Sequence, residues 1–310
     1  MGRIDSDVVL QTIALSKRFG QRWAVNNLSL TVHRGEVFGF LGPNGAGKST
    51  TIRMVLSLIR PTAGDVLLFG KPLRTHREEV LKRVGGLVES ADFYTYLSGR
   101  RNLEIVGALR GGFTRREIDE VLDAVGLAHR ADERVKTYSH GMKQRLGIAQ
   151  ALLGWPEFIV LDEPTTGLDP QGIKEVRQLI RHLSAERGIT IFLSSHLLSE
   201  IEQTATSMAI INRGTLVVQG NVRELLEGGG RIVSISAIPI DKALEVVQSF
   251  PTVEDIHRNG ETLEVRLPAD AVASLNARLV ESGVRVHALV PKRSLEDYFL
   301  TITQGASEIE

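Results

Sequence analysis

The chain has 310 residues, in which 37 Lys and Arg residues are balanced by 37 Asp and Glu residues. This length is typical of two domains, and the zero net charge gives no electrostatic reason to expect nucleic acid as the main partner. Cysteine is absent, which excludes disulfides and thiolate metal sites. No apolar run approaches the roughly 18 residues of a membrane helix, and the first ten residues lack a signal-peptide pattern. We therefore expect a soluble protein, or one that reaches a membrane through a partner.

The first predicted elements are strands. Alternating apolar and polar residues predict two strands at 8–17 and 25–33. The nearly all-apolar run GEVFGFLG at 35–42 predicts a strand buried on both faces. Helical spacing follows at 48–59, so the segment GPNGAGKST at 42–50 lies between a strand and a helix.

Strands and helices continue to alternate in the middle of the chain. A mostly helical stretch is predicted at about 99–155, followed by FIVLDEP at 158–164, a second buried strand that ends in two carboxylates. A helix at 170–187 and the strand TIFLSS at 190–195 come next. This alternation predicts an α/β fold with a largely parallel sheet.

The pattern changes at the glycine run EGGGR, at 227–231, which we interpret as a domain boundary. Beyond it the order βαββαβ is predicted, which is typical of a small ferredoxin-like domain. Its elements are a strand at 231–237, a helix at 241–249, hairpin strands at 253–258 and 262–267, a helix at 270–281, a strand at 284–290 and a closing helix at 294–303.

The segment at 42–50 has the spacing of a phosphate-binding loop: Gly42, four residues, then Gly47, Lys48 and Ser49. Its glycines let backbone N–H groups turn toward phosphate oxygens, and the following helix directs its positive dipole end at the anion. Lys48 is expected to reach the β- and γ-phosphates, and the Ser49 hydroxyl to bind magnesium. The structural alternative is a glycine turn capped by a lysine.

Two adjacent carboxylates end the strand at 158–164. Asp162 is suited to hold magnesium, directly or through water, and Glu163 is suited to orient or deprotonate an attacking water. The alternative is a solvated acidic turn, which a position at the end of a buried strand makes less favourable.

These segments, in this order, resemble the ATP-binding subunit of an ABC transporter over about residues 8–225. GPNGAGKST is similar to the family's Walker A motif and FIVLDEP to its Walker B motif, while YSHGMKQRLGIAQALL, from Tyr138, resembles the signature segment. TTGLDP resembles the D-loop and places Asp169 where the family contacts the opposite subunit. LSSH places His196 at the switch histidine, and Phe19 in LSKRFG matches the aromatic residue that stacks on adenine.

The resemblance implies a P-loop NTPase fold with a mostly parallel sheet, an antiparallel β subdomain and a helical subdomain at about 90–155. It places an ATP-binding domain at 8–225 and a small α+β accessory domain at 226–310. It implies catalytic roles for Glu163 and His196, the histidine contacting the γ-phosphate. The nucleotide contacts that it implies are Phe19, Gly42, Pro43, Asn44, Gly45, Ala46, Gly47, Lys48, Ser49, Thr50, Ser139, Gly141 and Asp169.

Partners also follow from the resemblance. The family sandwiches two ATP molecules between two subunits arranged head to tail, with the signature helix of one subunit facing the nucleotide of the other. One set of motifs in this chain implies a second subunit, expected to be a second copy. The chain would lie at the cytoplasmic face of the cell membrane, held there by a separate transmembrane permease.

The signature segment departs from the family's usual Leu-Ser-Gly-Gly-Gln. Ser139 and Gly141 are kept, whereas His140 replaces a glycine and Met142 replaces a glutamine. His140 is either a solvent-facing variant or the source of a pH-dependent ATPase activity. A flat activity profile across the histidine titration range would exclude the second hypothesis.

A second departure lies in VGGLVESADFYTYLSGRRNLEI. Glu89 stands where the family carries the Q-loop glutamine, which touches magnesium and couples to the membrane domain. A carboxylate is also a competent magnesium ligand, so we predict that Glu89 comes within reach of the metal when the site closes. Phe93, Tyr94 and Tyr96 follow, either as core residues or as a groove for the coupling helix of a permease.

The function expected is an ATPase that binds MgATP at a dimer interface and powers export through a separate permease. The Glu89 segment, the signature and the extension ending in VPKRSLEDYFLTIT resemble the branch that exports drugs, antibiotics, lipids or polysaccharides. The alternative is a soluble ATPase of the same superfamily that serves a translation or repair partner. A translation factor would usually carry two cassettes, and a repair ATPase would need a long heptad insertion, which is not visible here.

Overall fold

The computed structural model of the chain describes residues 7–89, 91–228, 231–268 and 270–292. The chain divides after Val222 into two compact units, three residues earlier than the division predicted from the sequence. The predicted closing helix at 294–303 lies outside the described residues.

The first unit contains most of the secondary structure. In chain order its elements are β1 (Val8–Phe19), β2 (Arg22–His33), β3 (Val37–Leu41), α1 (Lys48–Val55), β4 (Ala63–Leu68), β5 (Lys71–Pro72), α2 (Leu73–Leu81), β6 (Val84–Leu87), α3 (Gly99–Leu109), α4 (Arg115–Ala124), α5 (His140–Leu152), β7 (Phe158–Leu161), α6 (Pro170–Arg187), β8 (Thr190–Ser195), α7 (Leu198–Thr204), β9 (Ser207–Asn212) and β10 (Thr215–Asn221). A further helix, α8 (Val222–Gly228), begins at the division.

A six-stranded sheet forms the centre of this unit, in the order β10-β9-β3-β8-β7-β6. Its pairs are parallel except for β10 with β9, which confirms the predicted α/β fold with a mostly parallel sheet. Every residue of β3, β7 and β8 is buried. Their continuous apolar runs reflect this, because both faces of the sheet are covered.

The order of these strands brings three loops together. β3, β8 and β7 are consecutive neighbours in the sheet and run parallel, so their carboxyl ends lie at one edge. The loop at 42–47 follows β3, the two carboxylates at 162–163 follow β7, and His196 follows β8. In open α/β sheets, ligands bind at this edge of the strands.

A second, antiparallel sheet has the order β2-β1-β4-β5. Apolar residues of both sheets belong to one core, which includes Leu15 and Leu28 of the antiparallel sheet and Phe38, Phe40 and Phe192 of the central sheet. The ring of Phe192 lies 5.5 Å from that of Phe38 and 5.1 Å from that of Phe40. The three loops at the edge of the central sheet therefore follow strands that pack into an apolar core.

Several elements of this unit were not predicted from the sequence, among them α7, β9, β10 and the edge strand β6. β6 has the sequence VGGL, and its two glycines weaken any strand pattern. The structure gives a reason for the first of them. A Cβ built on Gly85 would lie 1.9 Å from the carbonyl oxygen of Ala151 in α5, so only glycine allows α5 to pack against this strand.

We expect Gly85→Ala to destabilise the first unit by about 3 kcal/mol or more, because strand and helix backbones must separate to admit the methyl group. Gly86→Ala is a matched control on the same strand, since its Cβ would meet only the flexible side chain of Leu56, at 3.0 Å. Both tryptophans, Trp23 and Trp155, belong to this unit, so urea unfolding followed by tryptophan fluorescence measures its stability. Equal midpoints for the two variants would contradict the expectation.

The second unit is built from β11 (Arg231–Ile238), α9 (Ile240–Gln248), β12 (Asp255–Asn259), β13 (Thr262–Leu267), α10 (Ala271–Glu281) and β14 (Arg285–Lys292). Its strands form an antiparallel sheet in the order β12-β13-β11-β14, so the predicted βαββαβ arrangement is confirmed. Val233, Ile235, Leu263, Leu275 and Leu279 are among the buried residues of a core that belongs to this unit. In the described part of both units, no helix combines the length and the apolar character needed to cross a bilayer.

Candidate active site

The loop at 42–47 connects β3 to α1 through a turn that requires glycine. Gly45 and Gly47 have positive φ angles of 81° and 107°. A Cβ on Gly47 would also lie 2.4 Å from the carbonyl oxygen of Ala24, so no other residue fits. Because α1 begins immediately afterwards, at Lys48, the free N–H groups of its first turn adjoin the loop.

The other residues of the predicted phosphate loop are placed along the same turn. The N–H group of Ala46 donates to the carbonyl oxygen of Pro43 at 3.1 Å, which closes the loop on itself. Asn44 is exposed, whereas Ser49 and Thr50 are half-buried in the first turn of α1. The loop thus has one exposed tip and a helix N-terminus directly behind it.

The side chain of Lys48 is almost completely buried, with 5% of its surface exposed. Its Nζ donates to the carbonyl oxygen of Gly42 at 2.7 Å and to that of Pro43 at 3.3 Å. Nζ also lies 3.4 Å from Oε1 of Glu163, beyond the end of β7. The ammonium group therefore joins the glycine-rich loop to the carboxylate pair.

Asp162 is buried directly after β7, with 4% of its surface exposed. Its Oδ1 accepts a hydrogen bond from Oγ of Ser194 at 2.6 Å, and the same Oγ accepts from the N–H group of Glu163 at 2.9 Å. One buried hydroxyl thus orients both carboxylate residues. Sequence reasoning missed Ser194, although it belongs to the LSSH segment from which only His196 was singled out.

Glu163 adopts a positive φ angle of 47°, which is unusual for a residue with a Cβ. Burial raises the pKa of its carboxyl group, but the hydroxyl of Thr166 and the charges of Lys48 and His196 lower it more, so the pKa lies below the ordinary value. Oε2 accepts a hydrogen bond from Oγ1 of Thr166 at 3.0 Å. The carboxylate is therefore ionised at neutral pH and is able to accept a proton.

His196 follows β8, and its Nδ1 lies 3.1 Å from Oε2 of Glu163. The two side chains are partly exposed, 36% for the histidine and 27% for the glutamate. Lys48, Glu163 and His196 therefore form a continuous row of side chains at the carboxyl edge of the sheet.

The signature segment leads into α5 and is exposed only at Ser139 and His140. Tyr138 is buried, its hydroxyl donates to the carbonyl oxygen of Arg130 at 2.6 Å, and this burial raises its pKa. Ser139 is exposed at the N-cap, where its Oγ accepts from the N–H group of Met142 at 3.2 Å. A Cβ on Gly141 would meet only Oγ of Ser139, at 4.0 Å, so the space above this helix start is open.

The two hypotheses for His140 can be compared with its position. The side chain is exposed, as a solvent-facing variant requires. Its Nε2 also lies 3.4 Å from the carbonyl oxygen of Thr166, in the loop that follows β7 and contains Glu163. A contact with that loop keeps the pH-dependent hypothesis open, and the pH profile of hydrolysis remains its test.

Asp169 has a local structural role that the sequence analysis did not assign. Its Oδ1 accepts a hydrogen bond from the N–H group of Gly172 at 2.9 Å, so it caps α6, and Pro170 occupies the first helical position. The pair Asp-Pro before a helical pattern is the signal that could have revealed this cap. Contact with an opposite subunit stays a prediction for this residue.

Comparison with known proteins identifies the family to which this site belongs. The sequence profile described as "ABC transporter" matches residues 25–166. The chain is 41% identical over 302 residues to the bacitracin transport ATP-binding protein BcrA of Bacillus licheniformis, covering 96% of this chain and 98% of the relative. The chain is an ATP-binding subunit of the ABC transporter family.

Further comparisons agree with this assignment. The ABC subunit is 34% identical to the Nod factor export ATP-binding protein I of Cupriavidus pinatubonensis, over 95% of this chain and 90% of that protein. Among solved structures it resembles cbiO1 of Clostridium perfringens, part of the ABC transporter complex cbiONQ, with a TM-score of 0.64 and 25% identity over 79% of this chain and 96% of that chain. The family consists of ATPases, so the chain is an ATP-hydrolysing enzyme.

Two further predicted contact residues of this ABC subunit are exposed. Phe19, at the end of β1, is 53% exposed and carries Nζ of Lys17 5.1 Å from its ring centroid, so stacking on adenine stays a prediction. Glu89, with a φ angle of 61°, is exposed and forms an ion pair with Arg53 of α1. Its predicted approach to magnesium in the closed site likewise remains a prediction.

The aromatic cluster after Glu89 lies mostly on the surface of the ABC subunit. Tyr94 is 53% exposed and Tyr96 is 65% exposed, with ring centroids 6.0 Å apart, whereas Phe93 is half-buried. Core packing is therefore wrong as an explanation of the two tyrosines, since more than half of the surface of each residue is exposed. An interface with another protein is the alternative that agrees with this exposure.

Proposed function

We propose that the chain is the ATP-hydrolysing subunit of an exporter, acting as a head-to-tail dimer of identical subunits on a separate permease. The observation that carries the proposal is the convergence of Lys48, Asp162, Glu163 and His196 at one edge of the sheet. Ser139 is exposed instead, and no hydrogen bond among the described residues joins it to the loop at 42–47. A signature helix that is open to solvent is consistent with its use by a second subunit.

The chain's own side chains account for most of the chemistry. Phosphoryl transfer depends mainly on charge neutralisation and on a positioned water. Lys48 and the amides before α1 would bind the β- and γ-phosphates, and His196 would contact the γ-phosphate. Glu163, ionised and beside His196, would orient the attacking water and accept its proton.

Magnesium fits the donors that this edge provides. The described residues contain no cluster of three or more His, Asp or Glu side chains able to hold a metal. In phosphate-transfer sites Mg²⁺ is bound by one or two carboxylates together with substrate phosphates. Asp162 and the Ser49 hydroxyl would hold it, with Glu89 as a further proposed ligand, and the ion would neutralise charge on the transferred phosphate.

The proposals that the protein drives export and that it acts on a separate permease are based on the names of two relatives. One of them is named for bacitracin transport and another for Nod factor export, and this chain covers nearly the full length of both. We therefore infer export of an antibiotic or lipid-like compound and a position at the cytoplasmic face of the membrane, peripheral through the permease. The exposed tyrosines Tyr94 and Tyr96 are the residues that we propose for docking.

Membrane fractionation tests this function. The full chain is expressed alone, and together with a candidate transmembrane permease. We expect it in the membrane fraction only with that partner, and expect Tyr94→Ala combined with Tyr96→Ala to return it to the supernatant. Leu109→Ala, which alters another exposed large hydrophobic residue, is the control. A chain that stays in the supernatant in every case would favour the soluble translation or repair ATPase.

A further inference from the structure

The carboxylate of Glu200, which belongs to none of the motifs described above, connects the loop after β7 to the end of β8. Oε1 of Glu200 accepts a hydrogen bond from Oγ1 of Thr165 at 2.6 Å, and Oε2 accepts one from Oγ of Ser195 at 2.7 Å. Thr165 lies two residues after Glu163, and Ser195 immediately precedes His196. A single side chain therefore connects the backbone on which the proposed base lies to the backbone of the switch histidine.

The helix that carries Glu200 is fixed to the central sheet. Leu198 and Ile201 of α7 are buried. A Cβ on Gly39 would lie 2.5 Å from Cγ2 of Ile201, so this helix rests directly on the backbone of β3. β3 is also the strand that leads into the loop at 42–47. The helix that carries Glu200 therefore packs on the same strand that positions this loop.

The side chains of Glu163 and His196, the two proposed catalytic residues, are only partly buried. Glu163 and His196 are both partly exposed, whereas Thr165 and Ser195 behind them are buried. Hydrogen bonds from hydroxyls to an ionised carboxylate are short and strong. No ion pair joins Glu200 to a cation within the described ranges, and both of its oxygens are engaged by the two loops. Its hydrogen bonds are therefore directed at these loops alone.

We propose that Glu200 is a positioning residue that sets the distance between Glu163 and His196 and so supports turnover without binding nucleotide. The inference rests on the catalytic roles proposed above for those two residues. Ser195 Oγ also accepts a hydrogen bond from the N–H group of Leu197 at 2.9 Å, which folds the loop around His196. Loss of the carboxylate would free the Thr165 hydroxyl and loosen this loop, since both lose their shared partner.

The test compares Glu200→Ala and Glu200→Gln in the full-length chain with Glu186→Ala, which removes an exposed carboxylate from the neighbouring helix α6. We expect Glu200→Ala to lower kcat by about 10- to 100-fold, the effect of a small misplacement of catalytic groups, with KM for ATP changed by less than about twofold. Glu200→Gln should recover part of the loss, because its amide can still contact both hydroxyls. Glu186→Ala should match the wild type.

Two outcomes would overturn the inference. One is an unchanged kcat in Glu200→Ala. The other is a loss of kcat accompanied by a raised KM and a lowered unfolding midpoint with no recovery in Glu200→Gln, which would indicate a general structural role. Glu163→Gln is measured in parallel. If that variant turned over like the wild type, the proposed catalytic assignment would fail by itself, and this result is distinguishable from failure of the Glu200 inference.

Discussion

Glu163→Gln should lower ATP hydrolysis by about 10²- to 10⁴-fold, the usual contribution of a positioned general base, while MgATP still binds. The amide keeps the shape of the side chain and its contact with Thr166, but it cannot accept a proton from water. Glutamine also tolerates the positive φ angle of this position no worse than glutamate, since neither is β-branched. Single-turnover hydrolysis and equilibrium nucleotide binding measure the two effects separately.

The same variant reports on the proposed dimer. Because ATP is retained, closure of two subunits around it should persist, and light scattering should show a shift from monomer to dimer only with ATP and magnesium. Glu186→Gln, an exposed glutamate of α6, should hydrolyse ATP and show no lasting dimer. Turnover at the wild-type rate in Glu163→Gln would refute the role of the base. Loss of turnover without dimerisation would instead refute closure between identical subunits in the absence of a permease.

Lys48→Ala should weaken ATP binding by about 10- to 100-fold, the effect of removing a hydrogen bond to a charged group. The substitution removes a buried ammonium group at the loop and its hydrogen bonds to the carbonyl oxygens of Gly42 and Pro43, of which that of Pro43 still accepts from the N–H group of Ala46. It also removes a nearby positive charge from Glu163, so the pKa of that carboxyl group should rise toward its ordinary value. Titration with a fluorescent ATP analogue measures the affinity.

Lys136→Ala, at an exposed lysine of the same unit, is the control for loss of one positive charge. It should bind nucleotide with wild-type affinity. If Lys48→Ala bound ATP as tightly as this control, the glycine-rich loop would not be the main phosphate site. Circular dichroism of both variants separates a loss of affinity from a loss of folding.

Much of this site could be predicted from the sequence because its signals are local. The glycines of the loop at 42–47 lie within one short segment. β8 and α6 have the predicted bounds, because a buried apolar strand and a capped helix can each be recognised from a few consecutive residues. The parallel, adjacent strands β3, β8 and β7 then bring Lys48, Glu163 and His196 to the same edge of the sheet.

The supporting residues could not be predicted in the same way. Ser194 is separated by 32 residues from Asp162, and Glu200 by 35 residues from Thr165. Nothing in the neighbourhood of a serine or glutamate indicates such a partner before the strand order is known. Glu89 could be assigned to the Q-loop position from the resemblance to the family. Its ion pair with Arg53 could not be predicted, because Arg53 lies on α1, 36 residues earlier in the chain.

The contact between Lys48 and Glu163 links the proposed phosphate-binding group to the proposed base. An incoming phosphate must exchange places with a carboxylate that already neutralises the ammonium group 3.4 Å away. We expect a bound phosphate to compete with Glu163 for the ammonium group of Lys48 and so to weaken this ion pair. We therefore expect substrate binding and the electrostatic environment of the proposed base Glu163 to be coupled through Lys48.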